Sequence, residues 1–168
     1  MEDYLIERLG HQGDGIAAGP VFVQRALPGE RVQGIRNGDR LSDVKIIEPS
    51  GLRIAAHCRH YKSCGGCQLQ HAAEPFVADF KQQIVKSALD AHGIETKFRP
   101  IATSPPQSRR RATFAVRRTK KGALWGFHAR ASDTVIPVPD CQLVLPELLQ
   151  AGPLMDDLAL IGGSRKGE

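Results

Sequence analysis

Aromatic side chains are scarce: one Trp, two Tyr and six Phe among 168 residues, or 5% of the chain. A fold with so few rings must fill its core mainly with aliphatic side chains, and it has few flat faces on which a nucleobase could stack. Apolar runs are short as well. None approaches the roughly 18 residues of a membrane-crossing helix. The opening stretch, MEDYLIERLG, is acidic and lacks the apolar centre of a secretory leader. The expectation is a cytoplasmic protein with no membrane partner and no obligate protein partner. Cysteine is limited to four residues, and a reducing compartment argues against structural disulfides.

What remains is a globular composition, 41% hydrophobic and 24% charged. Disorder and fibrous repeats are excluded. The length suits one ordinary domain or two small ones. Lys and Arg outnumber Asp and Glu by 23 to 18, a formal charge of +5. The charge is uneven. Residues 1–30 hold five acidic and two basic side chains, whereas 109–121 (RRRATFAVRRTKK) hold seven basic ones and no acid. Such a concentrated field attracts polyanions. The plainer reading is a solvated, solubilising face.

Short β-like pieces fill the first fifty residues: 3–9, 15–18, 21–24, 30–35 and 43–47. Gly19-Pro20, Pro28-Gly29 and Asn37-Gly38 separate them. Asn37-Gly38 signals a hairpin with a type I′ turn. The spacing predicts a small β-barrel that ends at Pro49-Ser50-Gly51. A cysteine-rich loop follows from His57 to His71. Residues 76–92 read as the best helix, with Phe76, Phe80, Ile84 and Ala88 on one stripe between Pro75 and Gly93. Residues 109–118 read as a half-buried strand. Its alternation would turn Arg109, Arg111, Thr113 and Arg117 outward, and Phe114 and Val116 inward beside Arg110. A turn at Lys121-Gly122, a return strand at 123–129 and a short strand at 134–138 complete the sheet. LPELLQ and MDDLALI read as short helices.

The four cysteines follow one pattern: Cys58-x5-Cys64-x2-Cys67, then a long interval to Cys141. Thiolates bind both iron–sulfur clusters and structural zinc. Gly65 and Gly66 would let the backbone fold sharply between Cys64 and Cys67. Three clustered cysteines plus a distant fourth favour a 4Fe–4S cluster. Zinc remains open, with His57, His60 or His71 replacing a cysteine, as does an empty site with no metal. A redox pair at Cys64 and Cys67 lacks the βαβ context that would support it.

At these residues the sequence resembles a known family. HYKSCGGCQLQH looks like the cluster-binding loop of the RumA-like RNA (uracil-C5)-methyltransferases. SRRRATF resembles an arginine-rich strand of their central domain, and VPDCQLVLPEL the segment that holds a fourth cluster cysteine. GDGIA and ALPGERV are similar to the TRAM domain, an OB-like RNA-binding barrel. The resemblance covers residues 5–150. It implies that Cys58, Cys64, Cys67 and Cys141 are cluster ligands, and that Arg111 lies near the target nucleotide. A tyrosine often precedes the arginines in the family, and this sequence departs from that with SRRR.

The expected fold class is thus α+β: a barrel over 1–52, a small mixed α/β domain with an antiparallel sheet and a four-cysteine metal site over 53–150, and a linker over 151–168 toward a missing catalytic domain. No Gly-rich S-adenosylmethionine loop is seen, and no cysteine is spare to act as nucleophile. The expectation is the RNA-recognition portion of a S-adenosylmethionine-dependent uracil-C5 methyltransferase acting on 23S rRNA, inactive alone. It would position RNA for a flipped-out uridine, with Arg109, Arg110, Arg111 and Arg117 as RNA contacts. The alternatives are a stand-alone RNA-binding module with TRAM domain and cluster, and an iron–sulfur electron carrier. The basic strand counts against the carrier.

Overall fold

Along the first strand the apolar residues fall at Tyr4, Leu5, Ile6 and Leu9, which breaks simple alternation. The computed structural model, which describes residues 1–162, shows why. Strand β1 (Glu2–Leu9) carries a bulge between Ile6 and Arg8 where it pairs with β2 (Gly15–Ala17). The extra residue resets the parity, so both Ile6 and Leu9 turn inward. Strands β3 (Val21–Val23), β4 (Arg31–Asn37) and β5 (Arg40–Glu48) complete a closed barrel in the order β1-β2-β3-β5-β4, with β4 returning to β1. Ile6, Ala17, Val21, Val23, Ala26, Val32 and Leu41 fill it. The core is aliphatic, as the aromatic scarcity requires.

The β4–β5 hairpin differs from expectation. Asn37 pairs with Arg40, so the two-residue loop is Gly38-Asp39 and not Asn37-Gly38. Gly38 has φ of 63°, and Asp39 is not in the positive-φ region. Positive φ at the first central residue alone belongs to a type II′ turn. Asn37 instead stays in the strand and donates its side-chain amide to Ser42 Oγ at 2.7 Å.

Beyond the barrel, helix α1 (Glu74–Asp90) starts two residues before the expected position. Pro75 lies inside its first turn, where a missing N–H costs nothing. Phe76, Val77 and Phe80 pack with Leu52 and Leu69 against buried Leu9, Leu27 and Ala72. Gly93, at φ 67°, ends the helix, and Ile94 N–H donates back to Leu89 O at 3.0 Å. Residues 1–56 and 68–101 form one compact unit.

Among the described residues, the second unit takes 57–67 and 102–162. Its sheet is β6 (Ala115–Thr119), β7 (Gly122–His128) and β8 (Val135–Pro137), antiparallel in that order. The expected strand over 109–118 therefore begins only at Ala115. Upstream, the backbone pairs elsewhere: Gln107 and Arg109 donate to Gln142 O and Leu143 O, and Leu145 donates to Arg109 O. Helices α2 (Pro146–Leu149) and α3 (Gly152–Gly162) follow, and α3 lies against β6 and β7. Gly152 backs onto the Trp125 indole; a Cβ there would stand 2.9 Å from Cζ2. Phe114 meets Trp125 edge-on at 5.3 Å and stacks on Phe127 at 5.0 Å. The architecture is α+β, a closed barrel and a separate small antiparallel sheet. Residues 163–168 of the expected linker lie outside the described residues.

One buried charge organises the first unit. Glu30 has no solvent exposure. Its carboxylate accepts from Leu27 N–H at 2.8 Å, Ser50 N–H at 3.3 Å and Arg53 twice, Nε at 2.5 Å and Nη2 at 2.8 Å. Burial alone would raise its pKa; the bonds from Arg53, Leu27 and Ser50 outweigh that and lower it. His71, also buried, is lowered from 6.5 to about 4, by burial first and then by Arg53. In the folded state it is neutral, whereas in an unfolded chain it takes a proton below about pH 6.5. Stability should therefore fall as pH drops from 6.5 toward 4, by at most about 3 kcal/mol from this group. Glu30 adds a further loss below its ordinary value of 4.5. Urea unfolding across this range should show the first fall in the wild type and a flatter profile in His71→Gln. Glu30→Ala should cost about 3–5 kcal/mol, because it strands the Arg53 guanidinium; a loss under 1 kcal/mol would contradict this account.

Candidate metal and nucleic-acid sites

The 57–67 loop enters the second unit through backbone bonds. Cys64 bridges to Ala129, and Gly65 N–H donates to His128 O at 2.9 Å. The role of Gly65 differs from the sequence expectation. Neither Gly65 nor Gly66 has a positive φ. What demands glycine at 65 is proximity: a Cβ would lie 2.8 Å from His128 O and 3.0 Å from Arg130 N, both backbone atoms with little freedom to yield. At 66 a Cβ would meet Cys64 Sγ and the Phe127 ring at 3.4 Å, a tolerable contact.

Cys64 and Cys141 are buried together with Val138 and Val144, and Phe114, Phe127 and Ile136 pack around them. Cys58 and Cys67 are half-buried, and no disulfide joins any of the four. Burial first, then the charges of Cys141 and Cys58, push the Cys64 thiol above its ordinary pKa; the Gly66 N–H, 3.3 Å from its Sγ, acts the other way. Cys64 and Cys141 are therefore near neighbours, although they lie far apart in sequence. Among the described residues, no group of three or more His, Cys, Asp or Glu side chains is arranged to hold a metal ion. The donor set has the right chemistry, with four thiols and two of them buried in one cluster, but it is not drawn onto a single point.

Two of the histidines considered as replacement ligands, His71 and His60, are engaged differently. His71 belongs to the Glu30–Arg53 group of the first unit. His60 Nε2 stands 2.8 Å from Asp140 Oδ1, and Arg59 Nε 2.9 Å from Oδ2. His60 and Arg59 hold the Asp140 carboxyl below its usual range. Asp140 precedes Cys141, yet nothing in the local sequence pairs it with His60, eighty positions away; only the fold reveals the link.

The basic segment divides into two parts. Arg109, Arg110 and Arg111 are exposed on the irregular stretch before β6, and Arg109 Nε donates to Arg111 O at 3.1 Å. Arg117 is half-buried on β6, with Nη2 donating to Asp133 O at 2.9 Å. Arg118, Lys120 and Lys121 are exposed around the β6–β7 turn. The expected outward face of Arg109, Arg111, Thr113 and Arg117 is thus not a strand face. Arg110 is exposed beside its neighbours, and Arg117 is tied to the 131–134 loop. Of the aromatic rings in this unit, Phe114 packs on both Trp125 and Phe127.

No family model matches the chain. Curated relatives do. An uncharacterised RNA methyltransferase of Caulobacter vibrioides is 42% identical over 166 residues, covering 95% of this chain and 40% of that protein. A 23S rRNA (uracil(1939)-C(5))-methyltransferase, RlmD, of Halomonas elongata is 37% identical over 158 residues, covering 87% of this chain and 33% of its own length. This chain is thus similar in sequence to RNA methyltransferases, one of them a 23S rRNA uracil-C5 enzyme. It spans about two fifths or less of those proteins. In three dimensions it is similar to the Pyrococcus abyssi tRNA (uracil-54, C5)-methyltransferase, solved with S-adenosyl-L-homocysteine. The TM-score is 0.62 at 22% identity, over 93% of this chain and 36% of that one. That likeness supports the fold.

Gly65→Ala tests the loop docking. It should loosen residues 57–67 from β7 and raise the reaction rate of Cys64 with a thiol reagent several-fold, whereas Gly66→Ala should change it little. Equal rates in the two variants would show that the close approach at His128 does not hold the loop.

Proposed function

We propose that this chain supplies the RNA-recognition portion of a uracil-C5 methyltransferase acting on 23S rRNA. The relatives' names support the reaction class. The observation that carries the RNA role is the exposed run Arg109–Arg111 together with Arg118, Lys120 and Lys121 in the second unit. Guanidinium groups bind phosphates bidentately and stack on bases. With the packed aromatics facing inward, the grip falls mainly on the RNA backbone. Arg111, matched to the arginine near the target nucleotide, would hold the extruded uridine or its phosphate, with Arg109, Arg110 and Arg117 beside it. The barrel, read as a TRAM domain, would offer a second surface for single-stranded RNA. The setting is the cytoplasm.

In the same reading, Cys58, Cys64, Cys67 and Cys141 hold a 4Fe–4S cluster. The cluster supplies no chemistry to methyl transfer, which moves no net electrons. Its part is structural: it ties the 57–67 loop to the segment around Cys141, and ligation of this kind couples to folding. Zinc on the same thiols is the alternative. Protein purified without oxygen should be brown, with about four irons and four sulfides per chain; colourless protein with stoichiometric zinc would reject the cluster.

The methyl donor, S-adenosylmethionine, would be held outside these 168 residues, and the chain alone would transfer no methyl group. Titration with a single-stranded rRNA fragment tests both halves. Three to five neutralised phosphates give a slope of log K against log salt of about −2 to −3.5. Replacing Arg109, Arg110 and Arg111 with alanine should flatten that slope and weaken binding to many sequences alike. An unchanged slope would reduce the arginines to a solubilising face, and micromolar binding of S-adenosylmethionine would overturn the division of labour.

A further inference from the structure

Cys67 and Cys141 are separated by 73 residues. Bringing such distant thiols together costs chain entropy, and like-charged thiolates resist it further. Something other than a metal must hold the two segments while the site is empty. At the Cys64 end, the bridge to Ala129 and the Gly65–His128 bond serve. These bonds reach β7 and not the segment that carries Cys141.

At the Cys58 end the structure shows a different tie. His60, two residues after Cys58, and Arg59, one after it, both bind the carboxylate of Asp140, the residue immediately before Cys141. The two oxygens are shared out, Oδ1 to His60 at 2.8 Å and Oδ2 to Arg59 at 2.9 Å. An exposed ion pair alone is often worth little, and Arg59 is exposed. The His60 side chain, however, is only 20% exposed. Its ring is fixed in the loop while its carbonyl O accepts from Ser63 and Cys64 N–H at 3.0 and 2.7 Å. The carboxylate is therefore held by a residue that is itself built into the turn leading to Cys64.

We propose that Asp140 is a positioning residue: by gripping His60 and Arg59 it keeps the turn after Cys58 beside Cys141, so that these thiols are neighbours before any metal or cluster enters. The metal half of this statement rests on the four-cysteine reading above. The positioning half does not.

The test uses the full chain, metal-free and reduced, oxidised with diamide. The rate of forming a disulfide between Cys58 and Cys141 is followed by mass spectrometry of the digest. Asp140→Ala should slow it about fivefold, and His60→Gln by a similar factor. Asp140→Asn, whose side-chain amide can still pair with the His60 ring nitrogen, should fall between Asp140→Ala and wild type. That graded rescue would not follow from a merely local defect. Should Asp140→Ala fail to fold, Asp140→Asn and His60→Gln carry the comparison. Equal trapping rates in wild type and variants would overturn the proposal. In parallel, each protein is reconstituted with ferrous iron and sulfide. Slower trapping with weaker iron retention supports both halves. Slower trapping in a chain whose wild type takes up neither iron nor zinc keeps Asp140 as the tie and overturns the four-cysteine reading instead.

Discussion

Glu30 cannot be reached by water, and the first unit is assembled around that fact. A buried carboxylate must have its charge met and its lone pairs filled. Leu27 N–H fills one from the turn before β4, Ser50 N–H another from the chain leaving the barrel, and Arg53 two more from the same exit. Arg53 then spends its remaining contact on Arg25 O. The start of the barrel's second half and the path out of it are thereby fixed to one point. Ile54 N–H continues the path by donating to His71 O, and Arg53 bridges to Ala72, three residues before Pro75 in α1. The barrel's aliphatic interior could tolerate small changes of packing. The carboxylate cannot tolerate the loss of its partner.

The barrel was legible because local chemistry governs it. Glycine and proline punctuation cut the chain at the right places, and all five strands formed within a few residues of expectation. The hairpin shows where that reading stops. Asn37-Gly38 is a valid turn signal, but Leu41 must enter the core, and a two-residue loop at Gly38-Asp39 sets the register that puts it there. Register is decided by the burial of a distant side chain, which turn statistics do not contain. Likewise the inward turn of both Ile6 and Leu9 depends on a bulge that only the pairing with β2 reveals.

The basic segment misled for a related reason. Alternation of arginine with Ala, Phe and Val from 109 to 118 has the period of a strand, and residues 115–119 are one. Before them, the backbone of 107–109 finds its partners in 142–145, on the far side of the cysteine-bearing segment in sequence. Two patterns with the same period thus serve different partners. Glu30 and Asp140 were invisible altogether: single acidic residues carry no motif, and their meaning lies in what long-range folding sets against them. Cysteine spacing was a distinctive signal, and of the four thiols the structure brings Cys64 and Cys141 into one buried cluster. Thiols are rare, and four of them with two glycines between a close pair leave few readings, though the structural need for Gly65 turned out to be space rather than a bend.

The scarcity of aromatics has a consequence for how this surface can work. Phe114, Trp125 and Phe127 are spent on one another and on Gly152, so the sheet's rings support the core around Cys64 and Cys141 in place of presenting flat faces. The exposed chemistry nearby is guanidinium and ammonium. A surface of that kind holds a polyanion by charge, with affinity that depends steeply on salt and little on sequence. In the proposed role, selection of one uridine must then come from a few directed groups, Arg111 foremost, and from the shape of the RNA. The stretch that carries Arg109–Arg111 is irregular backbone held at Arg109 by the 143–145 segment. That segment follows directly on Cys141. The same segment that brings the fourth cysteine into the core therefore sets the position of Arg109, and in the proposed function this would give a structural thiol site a reason to sit beside the RNA-binding arginines without taking part in the chemistry.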